Sequence, residues 1–149
     1  MKLPRFEYHS PDTIDEVLAL LAEHGDEAKV MAGGQSLVPL LAMRLARPTH
    51  VVDVNRVSGL SGIDQQNGDI AFGALVRERQ AERSPVVADE LPLLAEALPF
   101  IGHAAIRTRG TIGGTVAHAD ASAEIPCVLA ALEGSVVVRS TRGERTIAA

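Results

Sequence analysis

Ile14, Val17, Leu18 and Leu21 recur at the three-and-four spacing that predicts a helix with one buried face near the start of the chain. Just before them, Ser10-Pro11-Asp12-Thr13 offers cap residues with proline in the first turn, and Thr13 with Glu16 fits a reciprocal capping box. Gly25 stands where a left-handed C-terminal cap is expected. The pattern then shortens to a β-like run at 28–32, which Gly33-Gly34 ends. Ser36 is placed to cap a second helix reaching about Arg44, with Pro39 tolerated in its first turn. Pro48 closes that segment, and 50–54 is a second β-rich run. Strand, helix and strand in this order predict a βαβ unit whose two strands are parallel.

The pattern changes after Asn55. Runs at 59–65 and 69–73 flank Asn67-Gly68, a dipeptide suited to a tight hairpin turn. Helical stretches are expected at 77–84 and 87–98, a glycine-rich segment at 102–115, and a further helix at 125–132. A strongly β-branched strand at 135–140 turns through Thr141-Arg142-Gly143 into a last strand at 144–147. There is no internal repeat. We therefore expect two lobes, residues 1–55 and 56–149. The last strand leaves a sheet edge uncovered, so a chain cut short is expected.

Composition narrows the class. Of the 149 residues, 46% are hydrophobic and 22% charged, which suits a packed domain. Only 3% are aromatic, so the interior must be built from Ala, Leu, Val and Ile. The net charge of −5 argues against a nucleic-acid binder, which needs basic residues against phosphates. Cys127 is the only cysteine, which excludes an intrachain disulfide and an iron–sulfur cluster held by this chain alone. In an apolar helix, Cys127 is expected to be a small buried hydrophobe. No apolar run approaches the ~20 residues that span a bilayer, and the start lacks a signal-peptide core, so a cytoplasmic location is expected. His9, His24, His50, His103 and His118 show no ligand spacing along the chain, so no metal site is expected.

Candidate chemistry lies in two glycine loops. In Val30-Met31-Ala32-Gly33-Gly34-Gln35-Ser36, a strand delivers two glycines to a helix start, leaving successive N–H groups free for an anion such as a pyrophosphate. A lone Gly-Gly reads equally well as a tight turn capped by Ser36, and G-x-G-x-x-G is absent. The second loop, Arg107-Thr108-Arg109-Gly110-Thr111-Ile112-Gly113-Gly114-Thr115, repeats the theme with flanking hydroxyls. It predicts a second set of backbone donors, with the Thr111 and Thr115 hydroxyls reaching a phosphate or ribityl group. The plainer alternative is a turn preceded by two solvated arginines. Together the loops suggest one long, doubly phosphorylated ligand held from two sides. A β-branched residue at Gly33 or Gly113 is then expected to block the phosphate while leaving the fold intact. Downstream, Asp120 and Glu124 offer acceptors, although Ser122 or Asp120 could equally cap the following helix.

At these loops the sequence resembles a known family. Ala32-Gly33-Gly34-Gln35-Ser36-Leu37-Val38-Pro39 is similar to the first FAD-binding motif of the medium, flavin-carrying subunit of molybdenum hydroxylases, the group of carbon monoxide dehydrogenase and xanthine dehydrogenase. Ile106 to Thr115 resembles the second motif, and His118-Ala119-Asp120 to Pro126 its continuation. Thr108 and Thr115 stand where asparagine is usual, and Glu124 replaces an aspartate, with one methylene more of reach. The resemblance covers the whole chain and the N-terminal half of such a subunit.

The resemblance implies an α+β, two-lobed FAD-binding module of the PCMH type, with a small parallel βαβ lobe, a larger antiparallel lobe with helices, and the C-terminal domain missing. It implies that Lys29, Val30, Met31, Ala32, Gly33, Gly34, Gln35 and Ser36 line the pyrophosphate and adenine side. Thr111, Ile112, Gly113, Gly114 and Thr115 would make the second phosphate and ribityl contacts. Ile101 would pack by the flavin, Glu124 would bond its polar portion, and Asp120 is a lesser candidate. No residue here is assigned a catalytic role in substrate oxidation. The implied enzyme is a multi-subunit oxidoreductase in which a molybdopterin large subunit oxidises substrate. An iron–sulfur small subunit then passes electrons to this FAD and on to an external acceptor, in a dimer of heterotrimers. Two other readings remain open at this point: a stand-alone FAD oxidoreductase with a similar module, and a non-catalytic interaction module without cofactor.

Overall fold

A computed structural model describes residues 3–66 and 68–149. Three strands, β1 (Glu7–His9), β2 (Ala28–Met31) and β3 (His50–Asp53), form a wholly parallel sheet in the order β1-β3-β2. The expected βαβ unit is present: β2 and β3 are neighbours, with Ala28 opposite His50 and Met31 opposite Asp53. The sequence reading missed β1, because three residues of mixed polarity are too few to show a period.

Helix α1 (Ile14–His24) starts at the predicted capping box. The Glu16 amide donates to Thr13 Oγ1 at 3.2 Å, and the Thr13 amide donates to Glu16 Oε2 at 3.1 Å. Its apolar stripe packs Val17, Ile14, Leu20 and Leu21 against Ala28 and Val52. Gly25 ends it at φ +50, a positive angle as expected, though its ψ of −129 is not that of a left-handed cap.

Helix α2 is only Leu37–Ala42, and the expectation of a Ser36 cap is corrected. Ser36 is already in helical backbone (φ −98, ψ −46), and its hydroxyl makes no capping bond. Capping through the side chain needs an extended residue there.

An antiparallel hairpin of β4 (Ile63–Gln66) and β5 (Asp69–Phe72) follows, in which Gln66 pairs with Asp69. Asn67 lies outside the described residues, and Gly68 has φ +89. Helices α3 (Glu78–Glu82), α4 (Pro85–Glu90) and α5 (Pro92–Ala97) follow. The single helix expected at 87–98 is therefore two. Pro92 forces Leu91 out of helical geometry (φ −128, ψ 60), as steric contact with a proline ring does to the residue before it.

The glycine-rich segment is also more regular than expected, containing α6 (Ala104–Arg107) and α7 (Ile112–His118). Helix α8 (Glu124–Ala131) precedes a last hairpin, β6 (Ser135–Ser140) with β7 (Gly143–Ala148). Helix α8 buries Ile125 and Val128, which turns Cys127 outward. The expectation of a buried cysteine is corrected: it is exposed.

Two apolar cores meet at one peptide bond. Leu75 packs with Val17, Val52, Val54 and Val57, while its neighbour Val76 packs with Ala81, Val87, Leu98, Ile101 and Ile112. Both cores consist of Ala, Val, Leu and Ile, as the scarcity of aromatics required. Among the described residues, no helix is long and apolar enough to cross a membrane.

Candidate functional site

The parallel strands run toward the two glycine loops, and the loops touch. A Cβ at Gly33 would collide with the Arg109 carbonyl and with Gly110, and one at Gly114 would lie 3.7 Å from the Ala32 Cβ. Gly33 is thus glycine because the second loop's backbone lies against it. Gly113 is similarly tight, since a Cβ there would fall 2.6 Å from the Ala74 Cα. The expectation that a β-branched residue at Gly33 or Gly113 leaves the fold intact is corrected. Their missing side chains make room for the chain itself.

Asn55 and Arg77 clasp the pair of loops. Asn55 Nδ2 donates to the Ala32 carbonyl of the first loop at 2.7 Å. The Arg77 guanidinium donates through Nη2 to Asn55 Oδ1 at 2.6 Å and through Nη1 to the Arg109 carbonyl of the second loop. Asp53, at the end of β3, accepts from the Asn55 amide at 2.9 Å and from the Tyr8 hydroxyl at 2.6 Å. Burial opposes ionisation of Asp53. The bonds from Tyr8 and Asn55 and the charge of Arg109 outweigh it, holding the carboxyl below its usual range. Sequence reasoning missed Asn55, Arg77 and Asp53 as site residues, because they belong to no motif and act only through the fold.

The loops differ in what they leave free. Among the described residues, the N–H groups of Gly34, Gln35 and Ser36 donate to no protein acceptor, and Gln35 and Ser36 are exposed. Gly34 takes the positive φ of +73 that the turn requires.

In the second loop the expected donors are already engaged. Ile112 N–H donates to Val76 O at 2.9 Å, Gly113 N–H to Ala74 O at 3.1 Å, and Thr115 N–H to Thr111 O at 3.0 Å. Gly114 N–H donates to Thr111 Oγ1 at 3.0 Å, which makes the almost fully buried Thr111 the cap of α7. The Thr115 hydroxyl donates to Glu78 Oε1 at 2.8 Å. The expectation of free N–H groups and free hydroxyls in this loop is therefore corrected.

Arg107 is not a solvated charge. It is buried, pairs with Glu82 at 3.0 Å and donates to the Ile101 carbonyl at 2.9 Å.

Glu78 is the least conventional group near the loops. It is 2% exposed, its Oε2 has no partner among the described residues, and Gly110 lies directly against its carboxylate. Burial pushes its carboxyl above the usual range, the Thr115 bond opposes that, and the charge of Glu124 adds to it. The folded protein thus holds this proton more tightly than the unfolded chain does. Stability should fall as pH rises through the raised range. Glu78→Gln removes that titration. Comparing denaturant midpoints at roughly pH 5 and pH 8 should show a slope in the parent that the variant lacks.

The remaining candidates are dispersed. Lys29 and Val30 are exposed on β2 at the sheet edge, while Met31 and Ala32 are half-buried. Ile101 is buried in the second core. Glu124 opens α8, half-buried. Asp120 is exposed and holds the Ser122 amide and hydroxyl, each at 2.8 Å. Neither Asp120 nor Ser122 is the cap of α8, a position taken by Ala123. The histidines show no ligand spacing along the chain, but His9, His24 and His50 meet in space.

Residues 4–149 match the family described as the FAD binding domain in molybdopterin dehydrogenase. The chain belongs to this family.

The 6-hydroxypseudooxynicotine dehydrogenase complex subunit alpha of Paenarthrobacter nicotinovorans is 51% identical over 147 residues, which is 99% of this chain and 50% of that protein. The carbon monoxide dehydrogenase medium chain of Hydrogenophaga pseudoflava is 42% identical over 146 residues, 98% of this chain and 51% of its own length. Among solved structures, carbon monoxide dehydrogenase from Hydrogenophaga pseudoflava superposes with a TM-score of 0.97 at 42% identity, over 99% of this chain and 52% of that one. Quinoline 2-oxidoreductase from Pseudomonas putida 86 gives 0.95 at 42% identity, with the same coverage. The α+β architecture of the FAD binding domain family is therefore that of this chain. The chain spans about half the length of the curated relatives it matches.

Proposed function

We propose that this chain binds FAD and serves as the flavoprotein component of a multi-subunit, molybdenum-hydroxylase-type dehydrogenase. The observation that carries the reading is the Gly34-Gln35-Ser36 turn, exposed at Gln35 and Ser36, with three open N–H groups and the second glycine loop packed behind Gly33. Open, preorganised N–H donors suit the pyrophosphate of a dinucleotide cofactor. Family membership supports the choice of FAD over other anions.

In this reading Ala32 to Ser36 hold the pyrophosphate, and Lys29, Val30 and Met31 lie along the adenine side. Thr111 to Thr115 act by shaping and backing the first loop. Glu124 and Asp120 are the polar side chains offered toward the flavin end, with Ile101 contributing apolar support. The lobes 1–55 and 56–149 flank the cofactor. When bound, FAD supplies the capacity to accept electrons and release them to a separate acceptor. Asn55 and Arg77 keep the binding loops in register, and Tyr8 and Asn55 hold Asp53 ionised beside Arg109.

With one cysteine, the chain leaves iron–sulfur chemistry to a partner. We assign the electron supply to an iron–sulfur small subunit and the substrate chemistry to a molybdopterin large subunit, in a cytoplasmic dimer of heterotrimers. The names of the relatives, such as the nicotine 6-hydroxylase medium subunit, support such a division of labour.

The test is to denature the purified protein and identify what it releases. FAD in stoichiometric amount, together with co-purifying molybdenum- and iron-bearing subunits, is the expected result. A protein that carries no flavin and shows no saturable FAD binding would overturn the cofactor assignment. Turnover of an organic substrate by this subunit alone, with a dye acceptor, would overturn the partner assignment.

A further inference from the structure

The parallel sheet carries a second cluster of chemically capable side chains, at the end of β3 away from the glycine loops. His50 opens β3 and Asp53 ends it, so three residue steps, roughly 10 Å, separate the cluster from the Asp53–Asn55 network. Glu7 of β1 lies opposite His50 in the parallel register, which puts both side chains on one face of the sheet. His9 lies two residues along β1 on that same face, and His24, the last residue of α1, reaches over it.

One ligand nitrogen from each of His9, His24 and His50 lies within 4.8 Å of the others. His9 Nε2 and His50 Nδ1 are 3.0 Å apart. The His24 and His50 rings stack at 3.7 Å with a 7° interplanar angle, and His9 sits 5.4 Å and 5.3 Å from them. The Glu7 carboxylate flanks the group, with one oxygen 3.9 Å from His9 Nε2 and the other 3.8 Å from His50 Nδ1.

We propose that His9, His24 and His50, with Glu7 as the fourth ligand, form a binding site for a divalent first-row transition cation of the zinc type. Two nitrogens bound to one zinc at about 2.0–2.1 Å stand roughly 3.0–3.4 Å apart, the spacing His9 and His50 already have. The His24 ring, stacked on His50, turns about its χ angles to aim its nitrogen at the same centre, which lies within reach because the three nitrogens are within 4.8 Å of one another. Imidazole nitrogens with one carboxylate oxygen suit zinc, and disfavour calcium and magnesium, which take oxygen ligands. His9 and His50 are mostly buried (17% and 16% exposed side chains), whereas Glu7 is 68% exposed. The His9–His50 pair is therefore preorganised, and the exposed Glu7 side leaves the site open to entry of the ion. Bound there, the cation ties β1, β3 and the C-terminal end of α1 together.

The experiment is a calorimetric titration of Zn²⁺ into the purified full chain. The protein carries no histidine affinity tag and is first stripped with a chelator. One saturable site per chain is expected, with an upward shift in thermal midpoint. His24→Ala should weaken binding at least ~10-fold, and the exposed Glu7→Gln should weaken it less. Circular dichroism confirms that each variant folds, and Glu7→Gln remains informative should His24→Ala fail to fold. Flavin content should be the same with and without Zn²⁺, since the two sites are separate. Absence of saturable zinc binding, or equal affinity in the parent and both variants, overturns the site.

Discussion

Gly33→Val should empty the flavin site and destabilise the protein together. The added side chain would be driven into the Arg109 carbonyl and Gly110, which are backbone atoms that cannot swing aside. Overpacking of this kind costs about 1–3 kcal/mol, and relief comes only by parting the two loops. Parting them breaks the Asn55–Arg77 clasp and displaces the Gly34-Gln35-Ser36 turn from its backing. FAD affinity is expected to drop by about 100-fold, equivalent to ~2.7 kcal/mol. Fluorescence titration with FAD and denaturant unfolding on the same sample measure both effects. Parent-like FAD affinity would show that the first loop binds without its partner loop. Lost affinity with parent-like stability would show that Gly33 serves the ligand directly.

Arg77→Ala should also weaken flavin binding, although Arg77 belongs to neither loop. Its two donor groups reach Asn55 Oδ1 and the Arg109 carbonyl, one bond toward each loop. Hydrogen bonds to charged groups contribute about 1.5–3 kcal/mol, and removing the guanidinium takes the donor from the part-buried Asn55 Oδ1 and from the more exposed Arg109 carbonyl. A fall in FAD affinity of about 10-fold is expected, with a smaller loss of stability. Arg77→Lys should not restore binding, because a single ammonium lacks the planar fork that spans both acceptors. Full rescue by lysine would mean that charge alone, not the geometry of the clasp, is what the site needs.

The two glycine motifs were legible along the chain, but the roles of the glycines were not. A motif records which residue types are required, not which atoms lie opposite them. The free N–H groups of the first loop follow from local sequence, since a strand feeding glycines into a turn leaves them unpaired. The engagement of the Ile112 and Gly113 N–H groups in the second loop does not, because their acceptors, Val76 and Ala74, lie nearly forty residues upstream. Glu78 was invisible for the same reason. A glutamate in the sequence reads as solvent-facing, and only packing against Gly110 and Thr115 buries it.

Local patterning sufficed wherever neighbours in sequence are neighbours in space. The α1 capping box, the parallel βαβ pair and the antiparallel hairpins follow from side-chain spacing, proline and glycine, since those elements close their hydrogen bonds within a few turns or between successive strands. Strand β1, the helical state of Gly113 and Gly114, and the clasp of Asn55 with Arg77 were decided by contacts between distant segments. The histidines make the contrast plainest. His9, His24 and His50 are spaced by no ligand period, yet a strand, a helix end and a neighbouring strand converge on one sheet face and bring them together. Periodicity reports the local chain geometry, whereas convergence depends on the order of strands in the sheet, a property of the assembled fold alone.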